Sequence, residues 1–228
     1  MAADDLETHK RDERLAWVAH ELRTPIAAIL GWVERLRMPE VTADVIARGL
    51  AVIERNAHAQ SRLVEDLLDM SRIARGTLAL EVRPFDLASM LASAADDVRL
   101  DAEAKGVCIA LELEPEPIVM QGDPDRLRQV AANLLANAVK FTSAGCTITV
   151  RLARFAAGAR FEVADDGIGI DREMLPHVFE RARKPSTRRT DGLGLGLTIV
   201  RELVALHGGV VEARSPGLGH GATFIVTL

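Results

Sequence analysis

Apolar residues recur at spacings of three or four in the N-terminal part of the chain. The recurring positions are Leu15, Val18, Leu22, Ile26, Ile29, Val33 and Leu36. Such spacing is typical of a helix whose apolar seam packs against other helices. The same spacing returns after Pro39, at Ile46, Leu50, Ile53, Ala57, Val64 and Leu67. We therefore predict two long helices, the second capped by Thr42 and ending near Ala74 at Arg75-Gly76-Thr77.

Two long helices joined by a short connection form an antiparallel hairpin. Each seam still has apolar surface after one pairing, so the hairpin has too thin a core to stand alone. A homodimer through residues 15–74 would bury that surface, because two hairpins form a four-helix bundle with two-fold symmetry.

The pattern changes after Gly76, where short alternating runs predict strands between three helices. The predicted strands cover about residues 78–82, 107–113, 118–121, 147–153, 160–164, 210–213 and 223–228. The predicted helices cover about residues 86–105, 124–141 and 195–207, with Asp86 and Asp123 as N-caps. Strands mostly in hairpin order, with helices on one face, describe an α+β sandwich. The expected fold is an all-α hairpin domain over residues 1–76, followed by an α+β domain over residues 77–228.

Composition and charge exclude several classes of function. The 228 residues are 48% hydrophobic and 27% charged, as in soluble globular proteins, and the net charge of −5 gives no reason to expect nucleic-acid binding. Cys108 and Cys146 lie in apolar, strand-like runs and are expected to be core thiols. The charged N-terminus predicts no signal peptide, and no apolar run approaches the ~20 residues that cross a bilayer. We expect a cytoplasmic location.

Three glycine clusters lie in the second domain, at Asp165 to Gly169, Gly192 to Gly196 and Gly217 to Gly221. Each glycine adds backbone entropy that folding must overcome, so three clusters in one domain indicate a function beyond turning the chain. The middle cluster leads into a helix start, whose backbone N–H groups and dipole suit phosphate binding. A dinucleotide-binding fold is disfavoured, because this cluster does not follow a strand in a parallel βαβ unit.

A polar stripe precedes these clusters on the helix predicted over residues 124–141. Asn133, Asn137 and Lys140 are spaced i, i+4 and i+7 and therefore share one face. Two neutral amides and an ammonium suit a site that holds Mg²⁺ through substrate phosphates. A solvated polar stripe is the alternative, which the neighbouring glycine clusters disfavour.

Six motifs, in order, resemble those of a sensor histidine kinase. His20-Glu21-Leu22-Arg23-Thr24-Pro25 is similar to its H box, and Asn133 to Lys140 is similar to its N box. The G1, F, G2 and G3 boxes resemble Asp165 with Gly167 and Gly169, Phe179-Glu180-Arg181, Gly192 to Gly196, and Gly219 with Gly221. The resemblance extends from about residue 12 to the end of the chain.

The resemblance implies a Bergerat (GHKL-type) ATP-binding domain attached to a dimerising hairpin that carries the phospho-accepting His20. It implies that Asp165 takes the adenine amino group, beside Gly167 and Gly169, with Thr223 as a second adenine contact. Asn133 and Asn137 would hold Mg²⁺. The phosphates would meet Lys140 and the backbone of Gly194-Leu195-Gly196, and Gly192 would also belong to the nucleotide-binding residues. The loop from about Arg172 to Gly192 would be the ATP lid.

The chain departs from the family directly after Phe179-Glu180-Arg181. The family usually has an aromatic residue there, whereas this chain has Ala182. Four basic residues follow, Arg183, Lys184, Arg188 and Arg189. We therefore expect a lid that relies on charge rather than on an apolar anchor, and that is poorly ordered without nucleotide.

The helical wheel supports the implied role of His20. At about 100° per residue, His20 lies roughly 160° from the centre of the seam, so its side chain should point away from the bundle core. A neutral imidazole is an adequate nucleophile near neutral pH, and Glu21 can hydrogen-bond an imidazole N–H or accept its proton. Pro25 removes the helical hydrogen bond to the Glu21 carbonyl and should bend the helix. Thr24 lies one turn beyond His20, where the family's polar residue is linked to positioning water for dephosphorylation of a response regulator.

The expected function is autophosphorylation of His20 by ATP, followed by transfer to an aspartate of a separate response regulator, with phosphatase activity as a second role. One alternative is an ATPase resembling gyrase, heat-shock or mismatch-repair ATPases. Those proteins have a glutamate where this chain has Asn133, and an amide cannot take a proton from water. The other alternative is a catalytically inactive dimeric scaffold, against which the intact motifs argue.

Overall fold

A computed structural model describes residue 19 and residues 22–156, 158–180 and 195–228. These residues divide into two units, with the boundary between Arg75 and Gly76. Among the described residues, no helix is long and apolar enough to cross a membrane.

Two helices make up the described part of the first unit. The described part of α1 is helical over residues 22–36, and α2 spans Ala43–Ala74. The predicted cap is confirmed, because the Thr42 hydroxyl accepts a hydrogen bond from the backbone N–H of Val45 at 3.4 Å. The helix α1 continues through a buried Pro25. The carbonyl of Glu21, where the proline was expected to bend the helix, lies outside the described residues.

A single glycine allows the two helices to approach closely. A Cβ atom at Gly49 in α2 would lie 2.8 Å from Cε3 of Trp32 in α1, closer than real side chains come. The absence of a side chain at this position therefore sets the distance between α1 and α2 at their contact.

The described part of the second unit contains seven strands, three α-helices and a 3₁₀ turn. The strands are β1 (Arg83–Asp86), β2 (Cys108–Glu112), β3 (Val119–Gly122), β4 (Thr147–Phe155), β5 (Gly158–Asp165), β6 (Val210–Arg214) and β7 (Ala222–Thr227). The helices are α3 (Leu87–Lys105), α4 (Pro124–Phe141) and α5 (Gly196–Leu206), and the 3₁₀ turn is Leu175–His177.

The predicted α+β sandwich is confirmed. Five strands form a mixed sheet in the order β2-β4-β5-β7-β6, in which only β2 and β4 are parallel. Along β5, Phe161, Val163 and Asp165 are buried, whereas the residues between them are partly exposed. Alternation of this kind places one face of the sheet on the core, which α3, α4 and α5 complete with their own buried side chains.

The capping residues predicted from the sequence at the helix ends are also confirmed. Asp86 accepts a hydrogen bond from Ser89 N at 3.0 Å, and Asp123 accepts from the N–H groups of Asp125 and Arg126. Gly106 ends α3 in the left-handed conformation, with φ of 71°. Each cap satisfies backbone groups that the helix itself leaves unpaired.

Two predictions about this unit are wrong. The strand predicted over residues 78–82 is not formed, and β1 instead begins at Arg83 and pairs with β3 in a separate two-stranded sheet. Cys108 is exposed rather than buried, because β2 is an edge strand and Cys108 lies at its first position. Cys146 is half-buried, and both thiols are free.

Candidate nucleotide site

The helix α4 places its polar stripe at one edge of the core. Its apolar face is fully buried, including Leu127, Leu134 and Leu135. Asn133 and Asn137 are half-buried on the neighbouring face, and Lys140 is exposed near the C-terminus. The sequence periodicity therefore predicted correctly that these three residues share one side of the helix.

The C-terminal end of α4 is held by a lysine that the sequence analysis missed. The Lys105 ammonium donates hydrogen bonds to the carbonyl oxygens of Val139 and Lys140, both at 2.7 Å. A cation at a helix C-terminus neutralises the dipole and satisfies carbonyls that have no helical partner. No local pattern indicates this role, because Lys105 lies at the end of a different helix.

Asp165 is a buried carboxyl at the end of β5, 9% exposed. Its Oδ1 accepts a hydrogen bond from Gly167 N at 2.9 Å. Burial raises the pKa of Asp165, the N–H groups of Gly167 and Ala222 lower it, and the charge of Asp166 raises it again. The net pKa is above the ordinary value. A carboxyl in this environment gains from a ligand that supplies a further hydrogen-bond donor.

The glycines beside Asp165 allow backbone segments to approach one another. A Cβ atom at Gly167 would lie 2.4 Å from the carbonyl oxygen of Phe141, and one at Gly221 would lie 1.9 Å from the carbonyl oxygen of Asp165. The Phe141 carbonyl accepts a hydrogen bond from Ile168 N at 3.1 Å. The first glycine cluster is thus bound to the end of α4 on one side and to the third cluster on the other.

Ser215 joins the residue that follows the first glycine cluster to the third cluster. Its hydroxyl accepts a hydrogen bond from Ile170 N at 3.0 Å and donates one to the Gly221 carbonyl at 2.6 Å. No sequence pattern indicated this residue, because a serine before a glycine run gives no signal of its own.

The start of α5 meets the polar stripe of α4. A Cβ atom at Gly196 would lie 3.6 Å from Asn133 Oδ1, an ordinary contact distance. The Thr198 hydroxyl donates a hydrogen bond to the Phe179 carbonyl at 3.2 Å, and the Phe179 ring packs edge-to-face on Phe224 of β7, with centroids 6.1 Å apart. The motifs at Asn133, Phe179 and Gly196 are therefore adjacent in the fold.

The strand register argues against the predicted role of Thr223. In the β5–β7 pairing, Asp165 lies opposite Ala222, and Thr223 lies opposite Ala164. Because neighbouring residues of a strand point to opposite faces, the side chain of Thr223 lies on the other face of the sheet from Asp165. The expected adenine contact at Thr223 is therefore corrected: Ala222 is the β7 residue beside Asp165.

Several predicted site residues lie outside the described residues. They are His20, Glu21, Gly192 and Gly194, together with Ala182 and the four basic residues of the predicted lid. Leu195 directly precedes α5, and Thr24 is exposed on α1.

An unpaired amide donor on α4 fits the phosphate oxygens of a nucleotide, and the Oδ1 atom of the same side chain is the atom that could bind a metal. Among the described residues, only three buried side-chain polar atoms have no hydrogen-bond partner, and two of them, Asn133 Nδ2 and Thr142 Oγ1, belong to α4 and its C-cap. Buried polar groups are normally paired, so unpaired ones indicate a place where a ligand completes the bonding. The described residues contain no cluster of three or more histidine, cysteine or acidic side chains that could hold a metal by themselves. Neutral amides in place of such a cluster suit Mg²⁺ that arrives with phosphates.

Comparison with known proteins identifies both units. Residues 122–228 match the family described as "Histidine kinase-, DNA gyrase B-, and HSP90-like ATPase", and residues 10–76 match the "His Kinase A (phospho-acceptor) domain". The chain belongs to the sensor histidine kinase family. The predicted resemblance is therefore confirmed.

Relatives of this histidine kinase are longer proteins. It is 33% identical over 220 residues to sensor histidine kinase AtsR of Burkholderia thailandensis, an alignment that covers 94% of this chain and 36% of the relative. It is 36% identical over 227 residues to autoinducer 2 sensor kinase/phosphatase LuxQ of Vibrio parahaemolyticus, covering 96% of this chain and 26% of the relative. The solved structure of full-length ShkA in complex with AMPPNP is similar, with a TM-score of 0.67 and 34% identity over 94% of this chain and 45% of that chain. The chain thus spans less than half the length of each of these relatives.

Proposed function

We propose that this histidine kinase transfers the γ-phosphoryl group of ATP to its own His20, and then to an aspartate of a separate response regulator. The observation that carries the proposal is the meeting of the motif segments around α4. Asn133 lies against the start of α5, and the end of α4 is bonded to the loop that follows Asp165. Membership of the family and the AMPPNP bound to the related ShkA support the choice of ATP.

The residues of the site divide between the base and the phosphates of ATP. The Asp165 carboxylate accepts a hydrogen bond from the adenine amino group, with Gly167 and Gly169 shaping the loop around it. The Lys140 ammonium would bind the phosphates, and so would the backbone N–H groups at Gly194, Leu195 and Gly196, because a helix N-terminus offers unpaired N–H groups. The amide oxygens of Asn133 and Asn137 would hold Mg²⁺, which supplies charge neutralisation on the phosphate oxygens when it is bound.

The transfer needs a nucleophile and a proton acceptor. A ring nitrogen of His20 forms a bond to the γ-phosphorus, while the bond from that phosphorus to the leaving oxygen of ADP breaks. The carboxylate of Glu21 takes the imidazole proton as the N–P bond forms. In the second step an aspartate oxygen of the regulator receives the phosphoryl group and His20 returns to its starting state.

Dimerisation of the hairpin is part of the proposal. In the described parts of α1 and α2, six large apolar side chains are between 42% and 56% exposed, namely Ile26, Leu30, Ile46, Leu50, Val64 and Leu68. Rows of exposed apolar residues along both helices indicate a surface that a second copy covers. The functional domains are then the phospho-acceptor and dimerisation hairpin, residues 1–76, and the ATP-binding domain, residues 77–228.

Incubation with γ-labelled ATP and Mg²⁺ tests the proposal. We expect label on the protein, and we expect His20→Gln to abolish it while ATP binding persists. Labelled His20→Gln protein would show that another residue is the acceptor. Release of free phosphate without labelled protein would favour the ATPase alternative, and neither product would favour the inactive scaffold. The expected absence of rapid hydrolysis follows from Asn133, whose amide cannot act as a base toward water.

A further inference from the structure

The segment at the start of the second unit, before β1, is bonded through a backbone N–H group to the residue that caps α4. Residues 77–82, here called the connector, follow the unit boundary and precede β1. Within the connector, the backbone N–H of Glu81 donates a hydrogen bond to Asp123 Oδ2 at 2.9 Å. This bond ties the connector to the residue that caps α4.

Asp123 is a buried junction with bonds in three directions. Asp123 is only 4% exposed, and its Oδ1 accepts hydrogen bonds from the N–H groups of Asp125 and Arg126, both at 3.1 Å. Burial alone would raise the pKa of this carboxyl. The N–H groups of Glu81, Arg126 and Asp125, with the charge of Arg126, outweigh that effect and hold the pKa below its ordinary value. The carboxylate therefore stays ionised and uses both oxygens as acceptors.

The backbone of Asp123 is bonded to the end of α5. Its N–H donates to His207 Nε2 at 3.0 Å, and His207 Nδ1 donates to the Leu203 carbonyl at 2.8 Å. Both ring nitrogens are thus engaged, one as acceptor and one as donor. Gly122 makes room for the ring, since a Cβ atom there would lie 3.2 Å from His207 Cδ2.

The helices α4 and α5 extend from this junction to the nucleotide site. Asn133 lies ten residues beyond Asp123, a distance of about 15 Å along a helix. The opposite end of α5, at Gly196, contacts Asn133 there. Both helices are therefore fixed to each other at the junction and again at the site, and a rigid helix transmits a displacement of one end to the other.

We propose that Asp123 is a positioning residue that couples the connector to the nucleotide site through the capped end of α4 and the His207 bond to α5. The proposal rests on the nucleotide-binding role proposed above. Coupling of this kind is reciprocal, so occupancy of the site must change the freedom of the connector as much as the connector changes the site.

Two variants break the hydrogen bond between the Glu81 N–H group and the Asp123 carboxylate, one by changing the acceptor and one by removing the donor. Asp123→Asn keeps one oxygen to cap α4, since asparagine is a good N-cap, but turns an amide N–H₂ group toward the Glu81 N–H. Glu81→Pro removes the N–H itself and leaves Asp123 unchanged. Ala79→Pro is the matched control, because it stiffens the connector equally and Ala79 makes no hydrogen bond among the described residues.

Hydrogen exchange of the full chain, with and without a non-hydrolysable ATP analogue and Mg²⁺, measures the coupling. In the wild type and Ala79→Pro we expect the analogue to slow hydrogen exchange in both α4 and the connector. In the connector the exchange rate should fall by about fivefold or more, which is the low end of typical coupling between two sites. In Asp123→Asn and Glu81→Pro, protection of α4 should persist and that of the connector should disappear. In autophosphorylation assays the same two variants should lose kcat and keep the KM for ATP.

The results that would refute the coupling differ from those that would refute the proposed nucleotide site. A wild-type connector that does not respond while α4 is protected would refute the coupling but leave the proposed function intact. A response retained in both variants, or a raised KM with unchanged kcat, would also refute it. Absence of protection at α4 in the wild type would refute the proposed nucleotide site, and the coupling with it.

Discussion

Replacing Asp165 by asparagine separates the binding of adenine from the stability of the fold. The side chain keeps its shape, and the asparagine oxygen can still accept the hydrogen bond that Gly167 N gives to Oδ1 at 2.9 Å. The second oxygen becomes an N–H₂ group, which faces the adenine amino group as donor against donor. Asp165→Asn should therefore weaken ATP binding without unfolding the domain.

The magnitude follows from the kind of bond that is lost. A hydrogen bond to a charged group contributes about 1.5–3 kcal/mol, which corresponds to roughly 10- to 150-fold in affinity. The stability of the folded domain should rise or stay unchanged. Burial raises the pKa of Asp165, so the folded state disfavours the ionised form, and the neutral amide removes that cost.

Titration calorimetry with ATP and thermal unfolding without nucleotide measure the two effects. Inosine triphosphate is the informative control ligand, because it has a carbonyl where adenine has its amino group, and Asp165→Asn should narrow the gap between the two nucleotides. ATP affinity within twofold of the wild type would contradict the assigned role. A large fall in melting temperature would contradict the argument that the side chain acts on the ligand and not on the fold.

Three further predictions concern the pH dependence of ATP binding, the packing of the hairpin and phosphatase activity. As the pH is lowered, the ATP affinity of the wild type should begin to fall at a higher pH than an ordinary aspartate would give, because the raised pKa of Asp165 means that the ionised acceptor is lost earlier. Asp165→Asn, titrated in parallel, should lack this fall in affinity. Identical pH profiles of the two proteins would contradict the prediction. Gly49→Ala should destabilise the hairpin by about 1–3 kcal/mol in urea unfolding, because its Cβ would lie 2.8 Å from Trp32. Gly31→Ala, with open space around it, should stabilise the hairpin by up to about 1 kcal/mol. Equal urea midpoints for the two variants would show that the helices separate at no cost. Thr24→Ala should lower phosphatase activity toward the response regulator more than autophosphorylation, and an equal loss of both would exclude the role in positioning water.

The helices and their ends could be predicted from the sequence because their signals are local. A cap acts over about three residues, so Thr42, Asp86 and Asp123 mark the starts of their helices without reference to the rest of the chain. The polar stripe of α4 follows from helical periodicity in the same way. Motifs in a fixed order were enough to identify the family before any contact was known.

The remaining features depend on pairings between distant segments. Which residue of β7 lies beside Asp165 is set by the strand register, because a shift of one position moves a side chain to the other face. The family resemblance implied Thr223 at this place, whereas the register brings Ala222 there. The exposure of Cys108 follows from the position of β2 at the sheet edge, and strand order is not written in any short pattern.

The junction at Asp123 combines both kinds of information. Its role as a cap is local and was predicted, whereas its bonds to Glu81 and His207 join residues 42 and 84 positions away. The sequence alone determined what each segment could become and which chemistry it could support. Only the tertiary structure decided which polar groups meet, because that depends on how the whole chain packs its apolar faces.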